Sequence, residues 1–406
     1  NFGSLFNTID TLCECALLCT EESLFPTARK GKNMRILHLS KYYYPTEGGI
    51  ETVCRDIIRV LKRRETVSQC CFCFNAKKNN RAERVDGIPV VRAGCFCKLR
   101  SQPLSFSYYF LLRRLLREFH PDVLHVHLPN PFVMFILLLC PGKYQLVLHW
   151  HSDIIEQKYL YWLIWGLEWL MLKRADKILV TTQRYLDGSR PLSPWKEKCL
   201  VFPNTVDMEK YTRKEEDENE IASIRTAYGN RDIVFFIGRH VKYKGLEYLL
   251  KAERLVKSDC VFVIAGGGPL TAELQRRFPQ ERVRFVGRLP DDKVRQYFYA
   301  SKILVFPSIT KNEAFGMVLA EALCCGLPAV TFTIPGSGVN EVSIHGFTGL
   351  EVANINERTL AAAIDQMLTD RQMYKHFQTN AVSHISQKFS KKILENLLSN
   401  IYPETL

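Results

Sequence analysis

An α/β architecture of two doubly wound domains is what this chain predicts, on three observations. Short apolar runs recur along it and stop at proline, glycine, histidine or serine, as strands buried in a parallel sheet do. Stretches with helical spacing lie between these runs, so strand and helix alternate through both halves. The chain has 406 residues, 47% hydrophobic and 24% charged, which is enough for two domains with a core each.

The elements follow in order. Residues 1–33 hold Cys13, Cys15 and Cys19 on a weak helical pattern and are set aside as an extension with no assigned role. A first domain is expected over 34–205, with strands at 34–40, 67–74, 89–92, 123–127, 146–149 and 177–181. After the first strand, Gly48 and Gly49 form a strand-to-helix turn where a backbone can approach a ligand closely. The spacing is not G-x-G-x-x-G, so no dinucleotide site is indicated. His125, His127, His149 and His151 stand at strand ends. A metal there would want open geometry and a carboxylate partner, so no metal ligands are assigned. The fourteen cysteines include Cys70, Cys71 and Cys73 in a strand-like run, which points to reduced thiols in a core.

A second domain is expected over 206–388, after a solvated acidic linker at 215–220. Its first strand, 233–239, ends in Arg239, and Lys244 follows five residues on. Two cations converging on one loop suit phosphate oxygens, which accept charge-assisted hydrogen bonds. Residues 261–265 form a strand leading to Gly266, Gly267 and Gly268, a turn that leaves room for a ligand. A further strand at 303–308 leads to the loop K-N-E-A-F-G and a helix over 317–325, closed by Gly326 and Pro328 before a strand at 329–332. The free amides of Phe315, Gly316 and Met317 open that helix and form a seat for phosphate. Glu313 lies in the loop and can face a sugar. Glu321 lies eight residues on, about two helical turns, where it can accept hydrogen bonds from a ribose diol. No D-x-D follows a strand, so no metal is expected to bridge a diphosphate. The last segment, 389–406, is a helix with apolar Ile393, Leu394, Leu397, Leu398 and Ile401.

Charge is unevenly spread. Residues 34–200 carry 26 Lys and Arg against 14 Asp and Glu, whereas 201–406 carry 26 against 24. A basic first half points to an anionic partner. The stretches 104–119 and 159–174 interleave aromatics with Arg113, Arg114, Arg117, Lys173 and Arg174, which suits the surface of an anionic membrane as well as a core. No apolar run is long enough to span a bilayer, and the first residues show no secretory signal, so a cytoplasmic protein, peripheral at a membrane's inner face, is expected. No nucleic-acid-binding motif appears.

The run E-A-F-G-x-V-L-x-E-A-L-x-x-G-x-P, with Glu313 and Glu321 seven residues between, resembles the donor-site signature of family 4 retaining glycosyltransferases. F-x-G-R-x-x-x-x-K-G resembles the family's diphosphate clamp, and His151-Ser152-Asp153 its segment in which a histidine meets the transferred sugar. Thr205 departs from the pattern, standing where the family usually has glycine. The resemblance covers about residues 34–402. It implies a GT-B fold, two Rossmann-like domains facing a cleft, with the C-terminal helix crossing back to the first. It places the loop of Gly48 and Gly49 at that cleft and residues 284–289 against the nucleotide base. It further implies hexose transfer with retention, Glu313 and His151 at the sugar, and Arg239, Lys244, Phe315, Gly316, Met317 and Glu321 at the donor, without a metal cofactor. Residues 149–158 and 334–342 look most like bacterial surface-polysaccharide transferases. These imply mannose from GDP-mannose as donor and a polyprenyl-diphosphate-linked glycan as acceptor; other UDP- or GDP-hexoses, or a sugar-nucleotide epimerase on the same fold, are the alternatives.

Overall fold

The computed structural model describes residues 33–46, 48–99, 102–154 and 161–403. The extension expected over 1–33 lies outside them, except for Asn33. The chain divides into two units. The first holds the described residues through Val180, Ser189–Phe202 and the residues from Glu395 on; the second holds Thr181–Gly188 and Pro203–Leu394.

In the first unit, β1 (Met34–Leu39), β2 (Val67–Phe74), β3 (Arg81–Val85) and β4 (Ile88–Ala93) come first. A separate ribbon of β5 (Cys97–Leu99) and β6 (Gln102–Leu104) follows, then β7 (Val123–Leu128), β8 (Gln145–Trp150), β9 (Lys177–Val180) and β10 (Cys199–Val201). The sheet order is β10-β9-β8-β7-β1-β2-β4-β3, parallel except for β3 at one edge. The chain runs outward from β1 through β2, then returns to β7 and runs outward the other way. The order therefore reverses between β1 and β7, the place where a doubly wound sheet opens a crevice at the carboxyl ends of its strands. Helix α1 (Gly49–Leu61) packs Val53, Cys54, Ile57, Ile58 and Leu61 inward. The strands read as apolar runs because both faces are covered.

Helices α2 (Ser107–Phe119) and α4 (Tyr161–Arg174) carry most of the aromatic and basic stretches, and α3 (Pro131–Leu138) lies between them in the chain. In α2 the leucines are core, with Tyr108, Leu111, Leu112, Leu115 and Phe119 buried, while Arg113 and Arg117 are exposed. Two of the expected lipid-facing cations are otherwise engaged. Arg114 pairs with Glu118 at 2.7 Å, and Arg174 donates to the carbonyl of Leu137 at 2.6 Å, closing the end of α3. Large apolar side chains are exposed as well: Phe135 on α3, Leu139 just after it, and Trp165, Trp169 and Leu170 on α4. Among the described residues no helix is long and apolar enough to cross a membrane. The described cysteines are all free thiols, and most are buried.

The second unit has β11 (Asp232–Arg239), β12 (Cys260–Gly267), β13 (Val283–Gly287), β14 (Ile303–Phe306), β15 (Ala329–Phe332) and β16 (Gly349–Val352). All are parallel, in the order β13-β12-β11-β14-β15-β16, so the reversal falls between β11 and β14. Ile233, Phe235, Val263 and Leu304 pack on one face, and Val234, Phe236, Phe262 and Ile303 on the other, so the two-residue period fills two helix-covered cores.

The acidic run at 215–220 is not the solvated linker expected. Glu215–Asp217 forms a 3-10 turn leading into the helix Glu218–Ala227. Asp217 is buried, accepting from Arg295 through both carboxylate oxygens at 2.8 Å and from Gln296 at 2.9 Å. The C-terminal segment is also not one helix from 389. A preceding helix ends at Phe389, Ser390 bridges to Val206, and α5 (Lys391–Ile401) starts afresh. In the first unit, Arg64 donates to the carbonyl of Tyr402 at 2.8 Å, and the Tyr402 hydroxyl meets His125 Nδ1 at 2.9 Å.

Candidate active site

The second unit brings its expected residues to the reversal point of its sheet. Arg239 is the last residue of β11, and the loop after β14 carries Glu313. Between Arg239 and Lys244 the chain makes a 3-10 turn, Lys242–Lys244, closed by Gly245 at φ +65°. A side chain at Gly245 would run into the carbonyl of Pro307, so only glycine lets this turn lie against the end of β14. Ile309 N donates to the carbonyl of Tyr243 at 2.9 Å, locking the two loops together.

That docking joins Lys244 to Glu313. Lys244 Nζ forms an ion pair with Glu313 Oε2, and each side chain is only 13% exposed. Ser308 Oγ donates to the same carboxylate oxygen at 3.2 Å, and Ser337 Oγ donates to the Glu313 carbonyl. Glu313 is thus fixed by groups from three loops. Sequence reading assigned Lys244 to phosphate and Glu313 to sugar without seeing that they touch. It also missed Ser308 and Ser337, although Ser308 ends the strand run it singled out. Arg239 is exposed, with no ion pair among the described residues, and is available to an anionic ligand.

Gly316, at φ +87°, caps the next helix, Met317–Cys324. Phe315 turns its ring into the core against Phe389, 5.3 Å between centroids, which leaves its backbone for a ligand. Met317 is half-buried at the first helical position. The helix begins at Met317, so Glu321 is its fifth residue, little more than one turn in rather than two. Its carboxylate accepts from the buried Tyr211 hydroxyl, another partner the sequence did not reveal.

In the first unit, Gly48 precedes α1 in extended conformation, and Gly49 opens the helix. A side chain at Gly48 would strike the Glu51 carboxylate, whose proton affinity burial raises. His151 follows β8 and is buried, its amide bonded to the carbonyl of Leu128 at 3.0 Å and its Nε2 to His127 Nδ1 at 3.0 Å. It belongs to a cluster of five histidines that also holds His38, His125, His127 and His149. Adjacent rings lie 4.1 to 5.5 Å apart, centroid to centroid. Burial pushes His38 down to about 4 and His151 down to about 3, so these imidazoles are neutral at pH 7. Asp153 accepts from Trp150 Nε1 at 2.9 Å and from Ser189 at 2.7 Å, which holds the chain after His151 in place. Thr205 is buried outside the left-handed region, so its turn does not require the glycine the family pattern has there.

Two doubly wound sheets, parallel but for the edge strand β3, one with an anion-suited loop cluster at its reversal point, make the architecture of the GT-B fold. Residues 47–210 match the family described as Glycosyltransferase Family 4, and residues 217–384 match Glycosyl transferases group 1. A D-rhamnosyltransferase, WbpZ, of Pseudomonas aeruginosa is 30% identical over 363 residues, covering 88% of this chain and 92% of that one. An O-antigen chain mannosyltransferase C of Escherichia coli is 27% identical over 377 residues, covering 92% and 99%. The Anabaena protein HepE, solved in complex with UDP and glucose, superposes with a TM-score of 0.73 at 20% identity, covering 91% of this chain and 99% of that one. The chain belongs to the family 4 glycosyltransferases and is an enzyme of GT-B fold.

Proposed function

We propose that this enzyme transfers a hexose, mannose from GDP-mannose in the first instance, with retention of configuration. The acceptor is a polyprenyl-diphosphate-linked glycan of a bacterial surface polysaccharide. The observation that carries the reading is the Lys244–Glu313 pair at the reversal point between β11 and β14, with the exposed Arg239 at the end of β11. Such a loop cluster can hold a diphosphate and a sugar side by side. Lys244, Arg239 and the amides at Gly316 stabilise the negative charge that grows as the nucleoside diphosphate leaves. Glu313 orients the sugar hydroxyls. The attacking hydroxyl gives its proton to the departing phosphate as the glycosidic bond forms on the same face. The two named relatives, a mannosyl- and a rhamnosyltransferase, support a deoxyhexose or hexose donor.

The test is thermal-shift screening against a panel of GDP- and UDP-sugars, because a donor that binds only the native state raises its apparent stability. GDP-mannose should give the largest shift and support turnover onto a lipid-linked acceptor. Conversion of the free donor without an acceptor would instead establish an epimerase. Turnover should persist in EDTA, since cationic side chains and amides replace a metal at the diphosphate. Activity that vanishes and returns only with magnesium or manganese overturns that assignment.

Glu321→Ala should raise KM several-fold and leave kcat nearly unchanged, because a ribose contact is the same in ground and transition states. Steady-state kinetics decide it; a kcat loss at unchanged KM would place Glu321 at the reacting sugar instead.

The exposed apolar side chains of Phe135, Leu139, Trp165, Trp169 and Leu170 form the face that meets an anionic bilayer in this proposal. Lys173 Nζ lies 5.0 Å from the Trp169 ring centre, an aromatic with a cation at its side. Anionic lipid attracts each nearby basic residue by about 1 kcal/mol, and apolar burial adds to it. The protein should therefore sediment with anionic vesicles at low salt. Joint substitution Trp165→Ser and Trp169→Ser should abolish this and leave donor affinity intact. A wild type that ignores such vesicles removes the membrane reading.

A further inference from the structure

The histidine cluster contains a donor set that the transfer reaction does not use. His38 on β1, Cys54 on α1 and His127 on β7 are fully or almost fully buried. One imidazole nitrogen of each histidine and the Cys54 sulfur lie within 4.8 Å of one another. The hydrogen bonds around them settle which nitrogens are available. Gln69 donates through Nε2 to the carbonyl of Ile58 at 3.1 Å, so its Oε1 is the atom facing His38 Nε2 at 3.0 Å. That oxygen can only accept, so His38 carries its proton on Nε2, and Nδ1 is a bare lone pair. Among the described residues, His38 Nδ1 has no hydrogen-bond partner, and neither has His127 Nε2. His127 Nδ1 is occupied by His151 Nε2. The assignment that strands no buried N–H puts the His127 proton on Nδ1, leaving Nε2 also as a bare lone pair.

Two buried acceptors without a donor, beside a buried thiol, are costly unless something electropositive joins them. We propose that His38 Nδ1, His127 Nε2 and Cys54 Sγ bind a transition-metal ion of borderline softness, Zn²⁺ foremost. Two neutral imidazoles and one thiolate suit that ion. Binding replaces the Cys54 S–H bond with a sulfur–metal bond and releases that proton to solvent; nothing is oxidised or reduced. The outer partners fit too. A ligating histidine generally gives its other ring N–H to an oxygen or nitrogen acceptor, and Gln69 and His151 take those roles here. A second trio, His125, His127 and His149, shares His127. It is the poorer set, because His125 Nε2 and His149 Nδ1 already face each other at 3.4 Å. The ion would tie α1 to β1 and β7 and, through His127, set the orientation of His151. The site stands whether or not His151 touches a sugar.

The experiment uses the full chain, made without a histidine tag in zinc-supplemented medium and, separately, in cobalt-supplemented medium. Elemental analysis should find about one zinc per chain after gel filtration in metal-free buffer. The cobalt protein should show the intense d–d bands of a low-coordinate site and a thiolate-to-cobalt charge-transfer band in the near ultraviolet. Cys54→Ala should abolish the charge-transfer band, and Cys71→Ala, the neighbouring buried thiol, should keep it. Zinc-edge X-ray absorption of the wild type reads the ligands without any variant and should show one sulfur with nitrogen neighbours. A wild type holding under about a tenth of an ion per chain from both media overturns the proposal. So does a cobalt spectrum that survives in Cys54→Ala, or a zinc shell without sulfur.

Discussion

Lys244→Ala should lower kcat/KM by about 2 to 5 kcal/mol of transition-state stabilisation, the range for truncating one partner of a buried charge pair. Two effects add. The cation that stabilises the leaving diphosphate is gone, and Glu313 loses the ion-pair partner that fixes it. With 13% of each side chain exposed, water makes up only a small part of that loss. The pair also makes the effects non-additive. Glu313→Gln keeps the Ser308 contact and the side-chain shape but removes the charge that Lys244 faces. Adding it to Lys244→Ala should therefore cost less than the sum of the two single changes, because contacting residues couple. Arg239→Ala should also lower kcat/KM, and because Arg239 and Lys244 meet the same diphosphate its effect should couple with that of Lys244→Ala. Near-wild-type turnover in Lys244→Ala would remove the clamp. Additive losses for Lys244 and Glu313 would show that their contact has no bearing on the reaction.

How far the sequence carried the fold depended on which physical signal each element left. Parallel strands covered on both faces read as apolar runs, so Val67–Phe74 and Ala329–Phe332 are legible with the bounds observed. Arg81–Val85 is an antiparallel edge strand of mostly polar residues, R-A-E-R-V, and left no such run. Within the site, what is local was legible: a glycine capping a helix, or a glutamate in the loop before it. What depends on strand order was not. His38 reads as one histidine in an apolar strand. It joins His125 and His127 only because β1 pairs with β7 across the reversal of the sheet. The Lys244–Glu313 contact needs β11 beside β14 in the same way. Charge misled where burial decided, since the run at 215–220 looks like solvated surface, and only its third residue is taken into the core.

That third residue carries the other large effect expected. Asp217→Ala should destabilise the second unit by about 3 to 5 kcal/mol, because Arg295 would keep a buried guanidinium with no counter-charge. Arg295 and Asp217 side chains are 8% and 1% exposed, and two of Asp217's accepted bonds come from that one guanidinium. The hydrogen bonds from Arg295 hold the Asp217 carboxyl down to about 2, against the opposing effect of burial, where an ordinary aspartate lies at 3.8. A carboxyl lowered by folding gives stability that is present in full above the unfolded value and is lost as pH falls through the folded one. Its share, at 1.36 kcal/mol per unit, is about 2 kcal/mol, to be lost between about pH 4 and 2. Urea unfolding of the full chain at pH 7 and at steps below pH 4 reads both effects. Asp217→Ala should shift one transition strongly at pH 7 and show a shallower fall in stability over the acid range than the wild type. Asp217→Asn keeps the shape and part of the hydrogen bonding, and should fall between the two at pH 7 while sharing the shallower acid slope. A loss below about 1 kcal/mol for Asp217→Ala would mean that the pair, though buried, is matched by the cost of taking its charges out of water.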